Sequence, residues 1–342
     1  MIKFSEYVSL GHPDKVADYI SQYLLDRYIE QDPNTRYAVE VQVKGYMVTL
    51  GGEVSSKAHF TDDEIAFLVQ QAVNEVGYTK DYQQRWGNTN AICADDLFVA
   101  SYISQQSPDI AQGLSGWGDQ GIFFGMATAD PDTHNMPLDH TLTKRLCKTL
   151  FESGVGGLDI KTQVVTDDRE VRKVIVAIPL LTETDTERVE KLVGSVIMGD
   201  YSLTVNGTGR YVQHSTIADC GTTGRKLAVD FYGGNCKIGG GSPWTKDGSK
   251  ADLTLNLLAR NIAKQHAQRL GEDIFVSLAC CIGQRETEVV ITNGSGQVIS
   301  QEVVKYDPAY LIEQYRLNTP IFASMCKWGL FGEYQNDKQW EL

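Results

Sequence analysis

The sequence predicts an α+β fold of three related layers. Two observations carry this. A unit of helix followed by hairpin recurs along the chain, and the strand-like stretches come in hairpins rather than singly between helices, as a doubly wound sheet would need. No residue-level repeat accompanies the recurrence, and no low-complexity segment or long linker interrupts it.

The elements follow in order. After SLGHPDK a helix is expected, with Val16, Ile20, Tyr23, Leu24 and Ile29 near one face. In YAVEVQV, Tyr37, Val39, Val41 and Val43 alternate with smaller or polar residues, the mark of a strand with one packed face. Lys44-Gly45 turns it into a second strand, YMVTLGGEV. Thr61 and Glu64 make a capping box for a helix carrying Ile65, Leu68, Val69, Ala72, Val73 and Val76. A middle unit reads as a helix over 138–153, strands near 160–166 and 171–180, and a helix near 184–198. A last unit reads as a helix over 252–270 and strands at 274–282 and 286–293.

The chain has 342 residues, of which 42% are hydrophobic, enough for two or three cores. Its longest apolar run, VIVAIPLL (174–181), has strand length and falls short of a membrane span. MIKFSEY lacks a secretory core, and the seven cysteines include no CxxC, so a reduced cytoplasmic setting is expected. A net charge of −13 argues against non-specific nucleic-acid binding, and it makes any local knot of positive charge more informative.

Such knots lie at three places. In SLGHPDK, Pro13 and Asp14 suit a helix start, but His12 and Lys15 bring positive charge to the wrong end of the dipole. Capping and a phosphate or metal site are both open there. NGTGRYVQHSTIADCGTTGRK (206–226) and GGNCKIGGGSPWTKDGSKAD (233–252) combine glycines with Arg210, Arg225, Lys226, Lys246 and Lys250. Glycine admits an anion close to the backbone and the cations supply counter-charge, although solvated turns would also have this composition. A P-loop is excluded, because Asp247 stands where Ser or Thr is required. The six histidines show no zinc spacing, and no nucleophile elbow is present. GWGDQGIFFG (116–125) reads as a tight turn or a site ahead of an apolar strand.

With GHPDKVADYISQ, GGEV, QSPDI, GWGDQG, ADCGTTGRK and GGGSPWTKD in this order, over about residues 4 to 335, the chain resembles the S-adenosylmethionine synthetases. The resemblance implies three similar domains, each a small mixed sheet with helices, around a pseudo-threefold. They are expected near 1–110, 111–225 and 226–342, interleaved in sequence. It implies that methionine sulfur attacks C5′ of ATP and expels triphosphate, which is then cleaved to pyrophosphate and phosphate. A thioether has no proton to lose, so no general base is needed; in-line positioning and stabilisation of a departing polyanion are. His12, Lys161, Arg225 and Lys246 are then the catalytic candidates. Glu53 and Gln106 match methionine contacts; Asp119, Asp159, Arg210, Tyr211, Asp219, Lys226, Ser242 and Lys250 match further substrate-binding positions. Asp14 and Asp252 would each take one of two Mg²⁺ ions, and Glu40 a K⁺. Lys15 would face the triphosphate beside His12. The partners implied are ATP, L-methionine and a second copy of the chain sharing each site, with dimer against tetramer left open, and neither nucleic acid nor membrane.

Two departures stand out. The segment AQGLSGW (111–117) is about ten residues shorter than the family's mobile lid, with Trp117 a candidate to cover the mouth instead. Pro243, Trp244 and Thr245 replace the family's Ala-Phe and glycine, and proline removes a backbone donor. Two alternatives are a phosphotransferase of another type and a non-catalytic subunit that modulates an intact synthetase.

Overall fold

The computed structural model describes residues 1–105, 116–182, 184–332 and 338–342. Its strands are β1 (Ile2–Val8), β2 (Arg36–Lys44), β3 (Met47–Ser55), β4 (Phe98–Gln105), β5 (Gly121–Ala127), β6 (Lys161–Asp167), β7 (Glu170–Ala177), β8 (Ser202–Val205), β9 (Gly221–Thr222), β10 (Ile274–Cys280), β11 (Glu286–Asn293) and β12 (Val298–Lys305). The helices are α1 (Pro13–Gln31), α2 (Asp62–Val76), α3 (Lys80–Trp86), α4 (Leu138–Ser153), α5 (Thr184–Val196), α6 (Ser215–Ala218), α7 (Leu227–Asp230), α8 (Ala251–Leu270), α9 (Pro308–Gln314) and α10 (Phe322–Cys326).

The strands form three four-stranded sheets, ordered β1-β6-β7-β8, β12-β11-β10-β5 and β4-β3-β2-β9. The hairpins read from sequence are present, and Thr61 and Glu64 complete their capping box at α2. Two sheets are mixed, through the parallel pairs β7–β8 and β3–β4, while the β5-containing sheet is antiparallel throughout. Each sheet takes strands from two of the three sequence blocks. Thus β1 pairs with β6, β5 with β10, and β9 with β2.

One sheet packs on α4 and α5 with a core of its own, including Leu146, Leu150, Val174, Val176, Val189 and Val193. The other two sheets share a larger core with α1, α2 and α8. The first helix departs from the one-faced pattern expected of it: its buried residues run all round, from Pro13 to Ile29. A helix enclosed by several layers must satisfy its polar groups internally. Ser21 Oγ donates to Val39 O at 2.8 Å, Gln22 Oε1 accepts from Thr245 N at 2.9 Å, and Asp26 accepts from the N–H groups of Phe322 and Ala323. α1 is a hub, and its N-terminus is where the glycine-rich segments arrive.

Candidate active site

His12 caps α1, its Nδ1 accepting from the Asp14 N–H at 3.1 Å, so the neutral ring carries its proton on Nε2. It is 1% exposed, and burial, with Lys161 and Lys226 nearby, pushes its pKa down to about 3. His12 is therefore at once the cap and an uncharged donor held at a helix N-terminus.

The segment 219–226 closes on that end. Asp14 Oδ1 accepts from Thr222 N at 2.9 Å, Oδ2 accepts from Lys226 Nζ at 2.5 Å, and Arg225 Nη1 lies 3.8 Å from Oδ1. The approach requires glycine at 221, where a Cβ would stand 2.1 Å from Pro13 O. Lys161 is exposed at the start of β6, its backbone opposite Val8. Two residues earlier, Asp159 is buried; its Oδ2 accepts from Ser215 N at 3.3 Å and its Oδ1 has no hydrogen-bond partner among the described residues. Burial raises its pKa to about 6, against the pull of Lys161. Tyr211 Oη donates to Asp159 O at 3.1 Å, exposed Arg210 precedes it, and Asp219 is exposed within electrostatic reach of His12 and Asp159.

A second cluster adjoins the first through β2. Both oxygens of Glu40 accept hydroxyl protons, Oε1 from Thr245 at 3.1 Å and Oε2 from Thr223. Lys246 is bridged to Ala38, which is also the register partner of Glu53, and its Nζ pairs with Asp252 Oδ2. Gly241 is needed here too, since a Cβ would fall 1.9 Å from Asp252 Oδ1. Lys250 stands at the N-cap position of α8, two residues before Asp252, and Ser242 Oγ accepts from Trp244 N at 3.1 Å.

Asp119 and Asp252 both lie within electrostatic reach of Cys280. Asp119 is exposed, its Oδ1 accepting from Gln120 N at 2.7 Å, and its carbonyl accepts from Cys280 Sγ at 3.5 Å. Gln106, and the short segment as far as residue 115, lie outside the described residues. Two expectations are corrected. Lys15 does not face the phosphate-binding groups: it is 2% exposed and bonds to Asp18 and Asp230. Trp117 covers no mouth; it is fully buried, and its indole donates to Thr287 Oγ1 at 3.2 Å. The sequence reading missed Thr223 and Thr245, whose hydroxyls clasp Glu40, and Asp230, which lies outside every motif; only the neighbouring glycines hinted at the first two.

Family models match the sequence at both ends of the chain, the S-adenosylmethionine synthetase N-terminal domain over residues 1–108 and the C-terminal domain over 214–342. The S-adenosylmethionine synthases of Kosmotoga olearia and Pseudothermotoga lettingae are each 33% identical, over 98% of this chain and 95% of their own length. The chain belongs to the S-adenosylmethionine synthetase family. A solved structure described as an unusual S-adenosylmethionine synthetase from Campylobacter jejuni superposes with a TM-score of 0.89 at 28% identity, covering 100% of this chain and 96% of that one. The fold is therefore that of an S-adenosylmethionine synthetase along the whole chain.

Proposed function

We propose that this chain makes S-adenosylmethionine from ATP and L-methionine at the site beside α1. The methionine sulfur gives its lone pair to C5′, the C5′–O bond breaks, and its electrons leave on the triphosphate. The sulfonium forms without proton transfer. Water then cleaves the triphosphate to pyrophosphate and phosphate.

The observation that carries this reading is the gathering of Arg225, Lys226, Lys161 and a neutral His12 around one helix N-terminus. These groups can meet charge that develops on a departing polyanion, which is where preorganised donors act most strongly. His12 donates from Nε2 to the leaving oxygen, and Lys161 meets ATP near the C5′–O bond. Arg210 and Tyr211 hold adenine, with Asp219 and Asp159 at the nucleoside. Ser242, Lys246 and Lys250 complete the phosphate set, while Glu53, Gln106 and Asp119 serve the methionine side.

Synthetases of this family generally use Mg²⁺ and K⁺. Asp14 and Asp252 are hard oxygen donors, each already matched to a lysine ammonium. Among the described residues no three His, Cys, Asp or Glu side chains gather into a cage. That suits Mg²⁺ held by one carboxylate and substrate phosphates, two ions per site, where it would neutralise triphosphate charge. Glu40 with its two threonine hydroxyls offers the oxygen-only environment a K⁺ needs.

The assembly proposed is a homodimer with shared sites. Each sheet carries apolar side chains in the open: Ile2 and Phe4 on β1, Ile122 on β5, and Met47, Phe98 and Tyr102 on β3 and β4, all 51% exposed or more. Apolar side chains of this size on open sheet faces are the kind a subunit interface covers. Among the described residues no helix is long and apolar enough to cross a membrane, and all seven cysteines are free, which supports a reduced cytoplasmic setting. Incubating the protein with ATP, methionine, Mg²⁺ and K⁺ and assaying S-adenosylmethionine tests the reading. A preparation that makes none alone, yet changes the rate of another synthetase, is a modulating subunit.

A further inference from the structure

Behind the phosphate-binding groups lies a buried set of charges that the chemistry above leaves unused. Lys15 Nζ donates to Asp230 Oδ1 at 2.8 Å and Asp18 Oδ2 at 3.2 Å, and sits 4.6 Å over the Trp244 ring. The Trp244 indole donates to Asp230 Oδ2 at 2.8 Å, and Asp18 Oδ1 accepts from Gly224 N at 2.8 Å. None of the four side chains is more than 3% exposed. Their bonds end on different segments: Lys15 and Asp18 on α1, Asp230 on α7, Gly224 beside Arg225 and Lys226, and Trp244 two residues before Lys246. A single ammonium with three donors thus ties the helix that carries Asp14 to both glycine-rich loops.

We propose that Lys15, Asp18, Asp230 and Trp244 form a positioning network that sets the spacing between the 221–226 and 241–246 loops, and so the fit of the triphosphate. The network touches neither substrate; it acts through the loops. Trp244 is the latch on the second loop, because its indole N–H is the side-chain contact joining that loop to Asp230. The unwound, glycine-rich backbone on either side gives these loops little stiffness of their own, so their register depends on what holds them from behind. The inference rests on the triphosphate-displacing reading.

Trp244→Phe keeps an aromatic ring beside Lys15, removes the donor to Asp230 and leaves a small cavity where the larger indole was packed. In the intact protein with Mg²⁺, tripolyphosphate binding is measured by calorimetry with the non-hydrolysable imidotriphosphate, which the site cannot cleave, and KM for ATP and methionine by steady-state kinetics. Expected is about tenfold weaker tripolyphosphate binding, the loss typical when a buried bond to a carboxylate is removed, with a lower kcat and an unchanged KM for methionine. Asp18→Asn, which disturbs the Gly224 and Lys15 contacts instead, should show the same split and decides the matter should Trp244→Phe fail to fold. Unchanged tripolyphosphate binding in a folded variant, or equal losses for both ligands, overturns the network. An unaltered protein that forms no S-adenosylmethionine overturns the functional reading instead, whatever the variants do.

Discussion

The imidazole of His12 is the residue whose chemistry depends most on where it is buried. With a pKa pushed down to about 3, it stays neutral across the working range, so no His12 ionisation should appear in kcat between pH 5 and 8. A limb near pH 6.5 that disappears in His12→Asn would contradict this. Lys161→Ala or His12→Ala should lower kcat by about 10²-fold or more, with a smaller loss in ATP affinity, because each removes a preorganised group from developing charge. Stopped-time assays beside ATP titrations check both. Asp159 makes the opposite pH statement. Its folded pKa of about 6 exceeds the ordinary aspartate value of 3.8, so the folded state binds the proton more tightly. That contribution to stability is present below about pH 4 and is lost as pH rises through 6. Urea midpoints across pH 4–6.5 should fall more steeply in the unaltered protein than in Asp159→Asn. At this scale much of the site was legible, because charge-bearing residues at fixed spacing leave a local record. Lys15 shows the limit: three residues past a helix cap, nothing local says whether a lysine turns outward to an anion or inward to Asp230.

Helices and hairpins were legible for a related reason: their partners are close in sequence. The capping box at α2 illustrates this, since Thr61 Oγ1 accepts from Glu64 N and the Glu64 carboxylate returns to Thr61 N. Thr61→Ala should cost about 1 kcal/mol of stability and leave turnover unchanged, to be read from urea unfolding and the product assay. Strands β1, β4, β8 and β12 were not read, because a strand completed by a distant or edge partner needs little alternation of its own. The meeting of α1 with the 219–226 segment is equally non-local. Gly221→Ala tests it: the added methyl would strike Pro13 O, and overpacking should cost about 1–3 kcal/mol and displace Thr222 from Asp14. A thermal shift together with weaker ATP binding is the expected pair of readouts.

For the whole molecule, the three-layer organisation was legible from the recurring units, but the interleaving came only with the family resemblance, because sequence blocks by themselves say nothing of which sheet a strand joins. The outward apolar side chains are the feature that matters here. Light scattering should give twice the chain mass of 37.9 kDa, or four times it for a dimer of dimers, at assay concentration. Tyr102→Asp, placing a charge on a residue 72% exposed in the single chain, should yield inactive monomers. An active monomer would remove the shared-site assembly.

The pairing of β1 with β6 also bears on how the chain is made. Residues 2–8 leave the ribosome well ahead of their partners, 161–167, which follow about a typical domain's length later. Until then Ile2, Phe4 and Tyr7 wait without a sheet, and β5 waits in the same way for residues 274–280. Loop closure over such separations is slow, so the nascent protein passes through a long interval with open strand edges, a natural moment for a chaperone to bind. A fragment ended at residue 108 would hold a complete family-model match and still strand its first eight residues, making it a poor choice for separate expression.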